Sequence, residues 1–222
     1  MIYRPHRAVL GETLWRQLCS LAPELQRPSG STLMRQGEPG THVVALSSGA
    51  TTVILTGAEG ESTLLAVRGA GELFGELSVL DGQPRSASVI AVRPCRVHVI
   101  AGPAFKAFVT EHQLLDVMLR HAIARVRTAE TVRLELATAP VSRRLASALC
   151  RLVETAWPDA GSVPVEIPLT QEQLGQLIGA SRKAVGTVIS AWRSEGWVQT
   201  SPSGGLSIQN LYAVRQQVQR AM

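Results

Sequence analysis

The residues with the clearest chemical potential lie in a glycine-rich segment, 71–89. Here Gly75 and Glu76 begin a stretch typical of a short helix, whose first amide groups are free to bind an anion. Arg85 is suited to bidentate contact with a phosphate, and Ser86 adds a hydroxyl group. The Glu76 carboxylate is an acceptor that suits a sugar hydroxyl. Spacing alone leaves two interpretations open: a site for a sugar phosphate, or an ordinary glycine-rich turn.

A second group of basic and polar residues lies in the segment 169–192. Thr170 followed by Gln173 is a capping-box start, Gly179 suits a tight turn between two helices, and Ser181 can cap the second helix. The pattern predicts a helix-turn-helix, with an ordinary helical hairpin as the alternative. A following hairpin signal, the Pro- and Gly-containing run 201–205, indicates a wing and favours DNA binding. We expect DNA contacts from Thr170, Gln171, Ser181, Arg182, Lys183 and Thr187.

The elements that must position these residues change in character along the chain. An opening helix is expected over 8–22, and between about 27 and 100 short β-rich runs alternate with glycines. Many short strands at even spacing predict a small roll, barrel or sandwich. A further helical run, 141–156, precedes a loop at 157–162.

One long amphipathic helix is predicted at 112–137, a stretch without proline or glycine. About 26 residues extend roughly 39 Å, more than a small roll covers. The surplus predicts a seam between two copies of the helix in a homodimer; packing on its own roll is the alternative. Heptad-spaced positions form the stripe: Leu115, Leu119, Ala122, Val126, Ala129, Arg133 and Leu136. Because Pro140 ends the helix, we predict three regions: 1–111, 112–138 and 139–222.

Composition sets further limits. The formal charge of +5 favours a polyanionic partner, although a basic enzyme has the same balance. Three scattered cysteines form no disulfide framework, and no metal-ligand motif or nucleophile pattern is visible, so we expect neither a metal nor catalysis. The start of the chain does not resemble a signal peptide, and no run of about 18 apolar residues occurs. We therefore expect a cytoplasmic protein without a membrane partner.

The two motifs together resemble a known family. The run FGELS-x-L-D-G-x-PRSAS-V is similar to the phosphate-binding cassette of cyclic-nucleotide-binding domains. The order of roll, long helix, helix-turn-helix and wing resembles the CRP/FNR (catabolite activator) family of bacterial regulators. The resemblance implies an α+β fold: an N-terminal jelly-roll-like β-roll, a long dimerisation helix and a C-terminal winged helix-turn-helix.

The resemblance also implies a ligand site. The cyclic phosphate would bind Arg85 and Ser86, Glu76 would bind the ribose 2′-hydroxyl, and long-helix residues of both subunits would close over the purine. The implied cyclic-nucleotide contacts are Gly75, Glu76, Leu77, Ser78, Arg85, Ser86, Ala87, Arg125, Ala129 and Glu130. Ligand binding would then orient two recognition helices on double-stranded operator DNA. Relatives can also contact RNA polymerase near 157–168.

Two positions depart from the family pattern. Where cyclic-AMP-responsive members carry a Thr-Ser pair, this chain has Ala129 and Glu130, and an ionised glutamate only accepts hydrogen bonds. Cyclic AMP stays the default ligand, cyclic GMP is an alternative, and lost or weakened nucleotide binding in a constitutive DNA-binding regulator is another. On the recognition helix, Lys183 and Thr187 replace an acidic residue and an arginine, so we expect an altered operator in which Arg182 reads guanine.

Overall fold

The computed structural model of the protein describes residues 4–156, 164–201 and 204–219. These residues form two compact units, one of 4–62 with 66–129 and one of 63–65 with 130–219. The division falls inside a long helix, after Ala129. Antiparallel strand pairs and helices occur in both units, and the predicted α+β class is confirmed.

The first unit contains the predicted short strands, apart from residues 63–65 of one strand, which are grouped with the second unit. The strands are β1 (Glu24–Arg27), β2 (Thr32–Met34), β3 (His42–Ser48), β4 (Ala50–Thr56), β5 (Ser62–Gly69), β6 (Leu73–Phe74), β7 (Ser88–Ala91) and β8 (Cys95–Ala101). They form two four-stranded sheets, with the strand orders β1-β8-β3-β6 and β2-β7-β4-β5. β3 is buried on both faces, because alternate residues of a strand point to opposite sides: Val43 and Ala45 lie in one core cluster, and Val44 and Leu46 lie in another.

The single opening helix predicted over 8–22 is wrong. The structure has two helices there, α1 (His6–Leu10) and α2 (Glu12–Ser20). Gly11 between them has φ +82°, a conformation that an α-helix does not contain and that glycine adopts without steric cost. α3 (Glu76–Asp81) follows β6.

The long helix begins later than predicted. α4 (Gly102–Glu111) is followed by a turn, and α5 (Leu115–Thr138) begins three residues after the expected start at 112. Gln113 has φ +52°, and its neighbour Leu114 is buried, so core packing fixes a break that the apolar pattern did not reveal. Within the described ranges, no helix is long and apolar enough to span a membrane.

The second unit contains the remaining elements. They are α6 (Val141–Ala156), β9 (Val165–Ile167), α7 (Gln171–Ile178), α8 (Arg182–Ser194), β10 (Val198–Thr200), β11 (Leu206–Ile208) and α9 (Leu211–Gln219). The predicted helix 141–156 is confirmed at both ends. β10 and β11 form the predicted hairpin, and β9 pairs with the other side of β11. The predicted loop 157–162 and part of the hairpin turn, 202–203, lie outside the described residues.

Candidate ligand cavity and nucleic-acid interface

A left-handed glycine places the glycine-rich segment against an arginine. Gly75 joins β6 to α3 with φ +79°, and a Cβ atom there would overlap the Arg85 guanidinium and lie 2.7 Å from Met34 Cε. Any other residue would be strained at this φ and would also push against Arg85. The glycine therefore allows the guanidinium to lie directly against the turn.

Arg85 is held from several sides. Its side chain is 4% exposed, and it donates from Nη1 to Gly75 O at 2.8 Å and from Nη2 to His42 O. Its backbone is fixed by hydrogen bonds to the turn before β3, from Arg85 N to Glu38 O and from Gly37 N to Arg85 O, each 2.9 Å. Burial is the main effect on its guanidinium and lowers the pKa. A guanidinium has five N–H donors, more than the bonds to Gly75 O and His42 O require. Arg85 is therefore a cation fixed at one edge of the turn, with further donors for a ligand.

Glu76, the first residue of α3, forms an ion pair with α5. Arg125 Nη1 donates to Glu76 Oε1 at 2.9 Å, and the Glu76 side chain is only 6% exposed. This pair lies entirely within the first unit. A buried carboxylate that gains a charged partner is stabilised, whereas loss of the partner leaves an uncompensated charge. Glu76 therefore connects the glycine-rich turn to the long helix.

These side chains share one cleft. Its empty space is about 520 Å³, part of which is open to solvent. Eight residues predicted as nucleotide contacts line it: Gly75, Glu76, Leu77, Ser78, Arg85, Ser86, Ala87 and Arg125. Sequence reasoning missed several other lining residues, including Met34, Val53 and Arg68, because they lie on distant strands and belong to no motif.

The remaining two predicted contacts lie elsewhere. Ala129 and Glu130 are exposed on α5 and are not among the lining residues of the cleft. At 100° per residue, Ala129 is about 40° from Arg125 around the helix, and Glu130 is about 140° from it. Their contribution to base recognition stays a prediction.

The helix-turn-helix has the predicted local chemistry. Thr170 Oγ1 accepts from Gln173 N at 3.2 Å, and Gln173 Oε1 accepts from Thr170 N at 2.9 Å, so the capping box is complete. Gly179 is left-handed with φ 59°, and Ser181 caps α8 by accepting from Ala184 N at 3.2 Å. These caps fix where each helix starts and how the turn between them closes.

The two faces of α8 differ in exposure. Val185, Ile189 and Trp192 are buried in the second unit. Of the expected DNA contacts, Arg182, Lys183 and Thr187 are exposed on the other face, as is Ser190, and Thr170 and Ser181 are exposed at the caps. Gln171 and Gly186 are partly exposed. The exposed start of α8 therefore presents two cations beside small polar groups.

A half-buried arginine that sequence reasoning missed joins three elements of the second unit. Arg144 on α6 donates from Nη1 to Leu136 O, Ile178 O and Gly179 O at 3.2, 2.9 and 3.1 Å. These carbonyls lie at the ends of α5 and α7, where helices leave carbonyls without intrahelical partners and where a cation is favourable. Every residue has a backbone carbonyl, so the sequence does not show which carbonyls Arg144 binds. The role of Arg144 could therefore not be predicted from the sequence.

Two family models match the chain. A cyclic nucleotide-binding domain matches residues 24–112, and a Crp-like helix-turn-helix domain matches residues 143–216. The first covers β1 to β8 and the cleft residues other than Arg125, and the second covers α7, α8 and the hairpin. The two predicted motifs therefore lie in the two matched regions.

Curated relatives and a solved structure agree with these matches. The CRP-like cAMP-activated global transcriptional regulator of Mycobacterium tuberculosis is 28% identical over 82% of this chain and 84% of its own length. The cAMP-activated global transcriptional regulator CRP of Escherichia coli is 32% identical over 73% of this chain and 78% of its own length. The structure of the c-di-GMP responsive global regulator CLP of Xanthomonas campestris, 17% identical, covers 90% of this chain and 99% of its own with a TM-score of 0.71, which shows a shared fold. The chain thus belongs to the CRP/FNR family of cyclic-nucleotide-binding transcription regulators with a helix-turn-helix domain.

Proposed function

We propose that the protein is a homodimeric, sequence-specific DNA-binding regulator gated by a cyclic nucleotide, with cyclic AMP favoured and cyclic GMP possible. The observation that carries the proposal is the cleft in which Arg85, Glu76 and Arg125 meet. The names of the relatives in Mycobacterium tuberculosis and Escherichia coli support cyclic AMP as the default ligand. Catalysis has no part in the proposal.

Each lining group has a role that suits a cyclic nucleotide. Arg85 is a fixed cation with donors to spare, which suits the cyclic phosphate, and the exposed Ser86 hydroxyl adds one more donor. Glu76 suits the ribose 2′-hydroxyl because a carboxylate accepts hydrogen bonds. The remaining proposed contacts, Leu77, Ser78 and Ala87, form the wall of the cleft beside them.

The ion pair between Glu76 and Arg125 supplies the link to gating. A ribose hydroxyl that donates to Glu76 shares the carboxylate with Arg125. This sharing weakens the ion pair that Arg125 forms from α5. A ligand shifts a conformational equilibrium only through such differential contacts. We propose that this contact transmits nucleotide binding to the long helix.

An exposed apolar stripe on α5 supports the homodimer. Leu115, Leu119, Ile123, Val126 and Leu134 are each 43–64% exposed and lie within about 100° of the helix surface. A contiguous apolar stripe of this kind marks an interaction site, and a helix face that meets its own copy satisfies two-fold symmetry. Glu130 falls within the same arc, so in this arrangement it faces the partner subunit.

The exposed start of α8 supports DNA contact. Arg182 and Lys183 are exposed; an arginine suits guanine O6 and N7, and a lysine suits guanine or phosphate. Thr170 and Gln171 suit phosphate contacts, because the start of a helix such as α7 favours anions. Contact with RNA polymerase stays a prediction.

The alternative is a constitutive DNA-binding regulator with lost or weakened nucleotide binding. One observation favours it: Ala129, at a position where relatives read adenine, offers no side-chain hydrogen bond. The alternative and the gated regulator differ in ligand binding itself, so a direct titration separates them.

Calorimetric titration of the full chain with each nucleotide tests the proposal. We expect saturable binding of cyclic AMP, and binding of neither nucleotide would overturn the gated regulator in favour of the constitutive one.

Glu130→Gln tests base reading, because an amide both donates and accepts. A changed ratio of the two affinities is expected if Glu130 reads the base, with Glu111→Gln on α4 as the matched control.

A further inference from the structure

Two histidines that belong to no sequence motif meet a glutamate of the glycine-rich segment inside the first unit. His6 comes from α1, Glu72 from the turn before β6, and His121 from α5. They are 1%, 3% and 5% exposed. The sequence separates the histidines by 115 positions, so only the fold brings them together.

His6 Nδ1 has two polar neighbours, Glu72 Oε2 at 2.9 Å and Leu73 N at 3.2 Å, and its role depends on the tautomer. With a hydrogen on Nδ1, His6 donates to the Glu72 carboxylate. In the other tautomer Nδ1 accepts from Leu73 N, and its lone pair then faces an ionised carboxylate that also only accepts. A metal cation between the two atoms suits this second tautomer.

His121 is oriented as a metal-ligating histidine usually is. Its Nε2 lies 3.0 Å from Arg4 O, and because a carbonyl only accepts, Nε2 carries the hydrogen and Nδ1 the lone pair. Metal-bound histidines commonly donate their second ring nitrogen to a backbone carbonyl in this way. The lone pair on Nδ1 is the group through which His121 would bind a metal.

We propose that His6, Glu72 and His121 form a binding site for one divalent transition-metal ion of the zinc type. One potential ligand atom from each residue lies within 4.8 Å of the other two. Zinc binds histidine nitrogen and carboxylate oxygen at about 2.0–2.2 Å, so two atoms 2.9 Å apart subtend about 90° at a shared ion. Ligand atoms around a tetrahedral zinc ion lie about 3.4 Å apart. A separation as large as 4.8 Å would therefore have to shorten by up to about 1.4 Å for all three to bind together.

The donor set and its surroundings determine the class of ion. Two imidazoles and one carboxylate favour zinc and its neighbours over magnesium or calcium, which prefer oxygen ligands. A second carboxylate, Glu76, has Oε1 3.9 Å from His6 Nε2, but its charge is already paired with Arg125. An ion here would tie the amino-terminal α1 to α5 beside the cleft. The inference does not depend on nucleotide binding.

Calorimetric titration of the chelator-treated full chain with zinc alone tests the site. We expect one ion per chain and at least a tenfold loss of affinity in His121→Gln. His112→Gln is the matched control, because His112 lies at the end of α4 and packs on Phe108. Equal zinc binding in wild type and His121→Gln would show an adventitious ion only and overturn the proposal.

A second measurement keeps the test decisive if His121→Gln does not fold. Cobalt(II) added to the wild-type chain should give visible bands from nitrogen and oxygen ligands, without a thiolate band, because the three buried cysteines lie elsewhere. Glu72→Gln, which keeps the side-chain volume, should abolish these bands. Absence of bands in wild type would mean that a proton rather than a metal lies between His6 and Glu72.

Discussion

Single side chains carry the chemistry at both candidate sites, and they differ in whether they also stabilise the fold. Arg85 faces the cleft and also donates to two backbone carbonyls, so its removal would alter the fold as well as the ligand site. Arg182, in contrast, is exposed, so its substitution reports on DNA contact with little effect on folding.

Arg85→Lys separates charge from geometry at the cleft. Lysine keeps the charge but lacks the planar fork, so cyclic AMP affinity should fall by about 1.5–3 kcal/mol, roughly 10- to 150-fold. Calorimetric titration measures the loss. Arg35→Lys, at an exposed arginine on the same unit, is the control and should bind normally. Unchanged affinity in Arg85→Lys would contradict phosphate binding by Arg85.

Arg182→Ala tests base reading. If Arg182 binds guanine, specific DNA affinity should fall by about 1–3 kcal/mol while affinity for unrelated DNA changes little. Mobility-shift titrations on a selected operator and on scrambled DNA give both values. Arg16→Ala, on the surface of α2, serves as the control. Equal losses on both DNAs would make Arg182 a phosphate contact.

For helices and turns, the types of neighbouring residues predicted where several elements begin and end. Contacts between residues distant in the sequence left no such pattern. The capping box at Thr170, the turn at Gly179 and both ends of α6 follow from neighbouring residue types, and the structure confirms them. The start of α5 could not be predicted, because burial of Leu114 against distant residues fixes the break. Arg144 gave no signal, because its partners are backbone carbonyls.

Arg144→Met removes a cation from the ends of α5 and α7. Three carbonyls lose their donor, so the free energy of unfolding should fall by about 1–3 kcal/mol. Thermal or urea unfolding followed by circular dichroism measures it. Arg215→Met is the matched control, because its ion pair with Glu154 is exposed and 3.8 Å long and contributes about 0–1 kcal/mol. Equal stability of both variants would show that Arg144 does not clamp these helix ends.

Leu119→Glu tests the apolar stripe of α5. A charge within a two-helix seam costs desolvation and repels its own copy, so the dimer should dissociate at concentrations where wild type stays associated. Sedimentation velocity over a dilution series measures this change. Leu21→Glu alters a comparably exposed leucine outside the stripe and should leave assembly unchanged. A Leu119→Glu protein that associates like wild type would place the dimer contact elsewhere.

For the whole molecule, two sequence motifs indicated the family. The structure added, within each unit, contacts between residues that are distant in the sequence. The cleft could be predicted where its residues share one segment, 75–87, but not where distant strands complete it. The ion pair between Glu76 and Arg125 is the first link from the cleft to the long helix. Gating requires that ligand binding at this link changes DNA affinity in the intact dimer.

The most direct test of gating is the affinity of the full-length protein for an operator selected from random double-stranded DNA, measured with and without cyclic nucleotide. We expect cyclic AMP to tighten operator binding at least tenfold, and Arg85→Lys to shift this response to higher nucleotide concentration. The same operator affinity with and without saturating cyclic AMP and cyclic GMP would contradict a nucleotide-gated regulator.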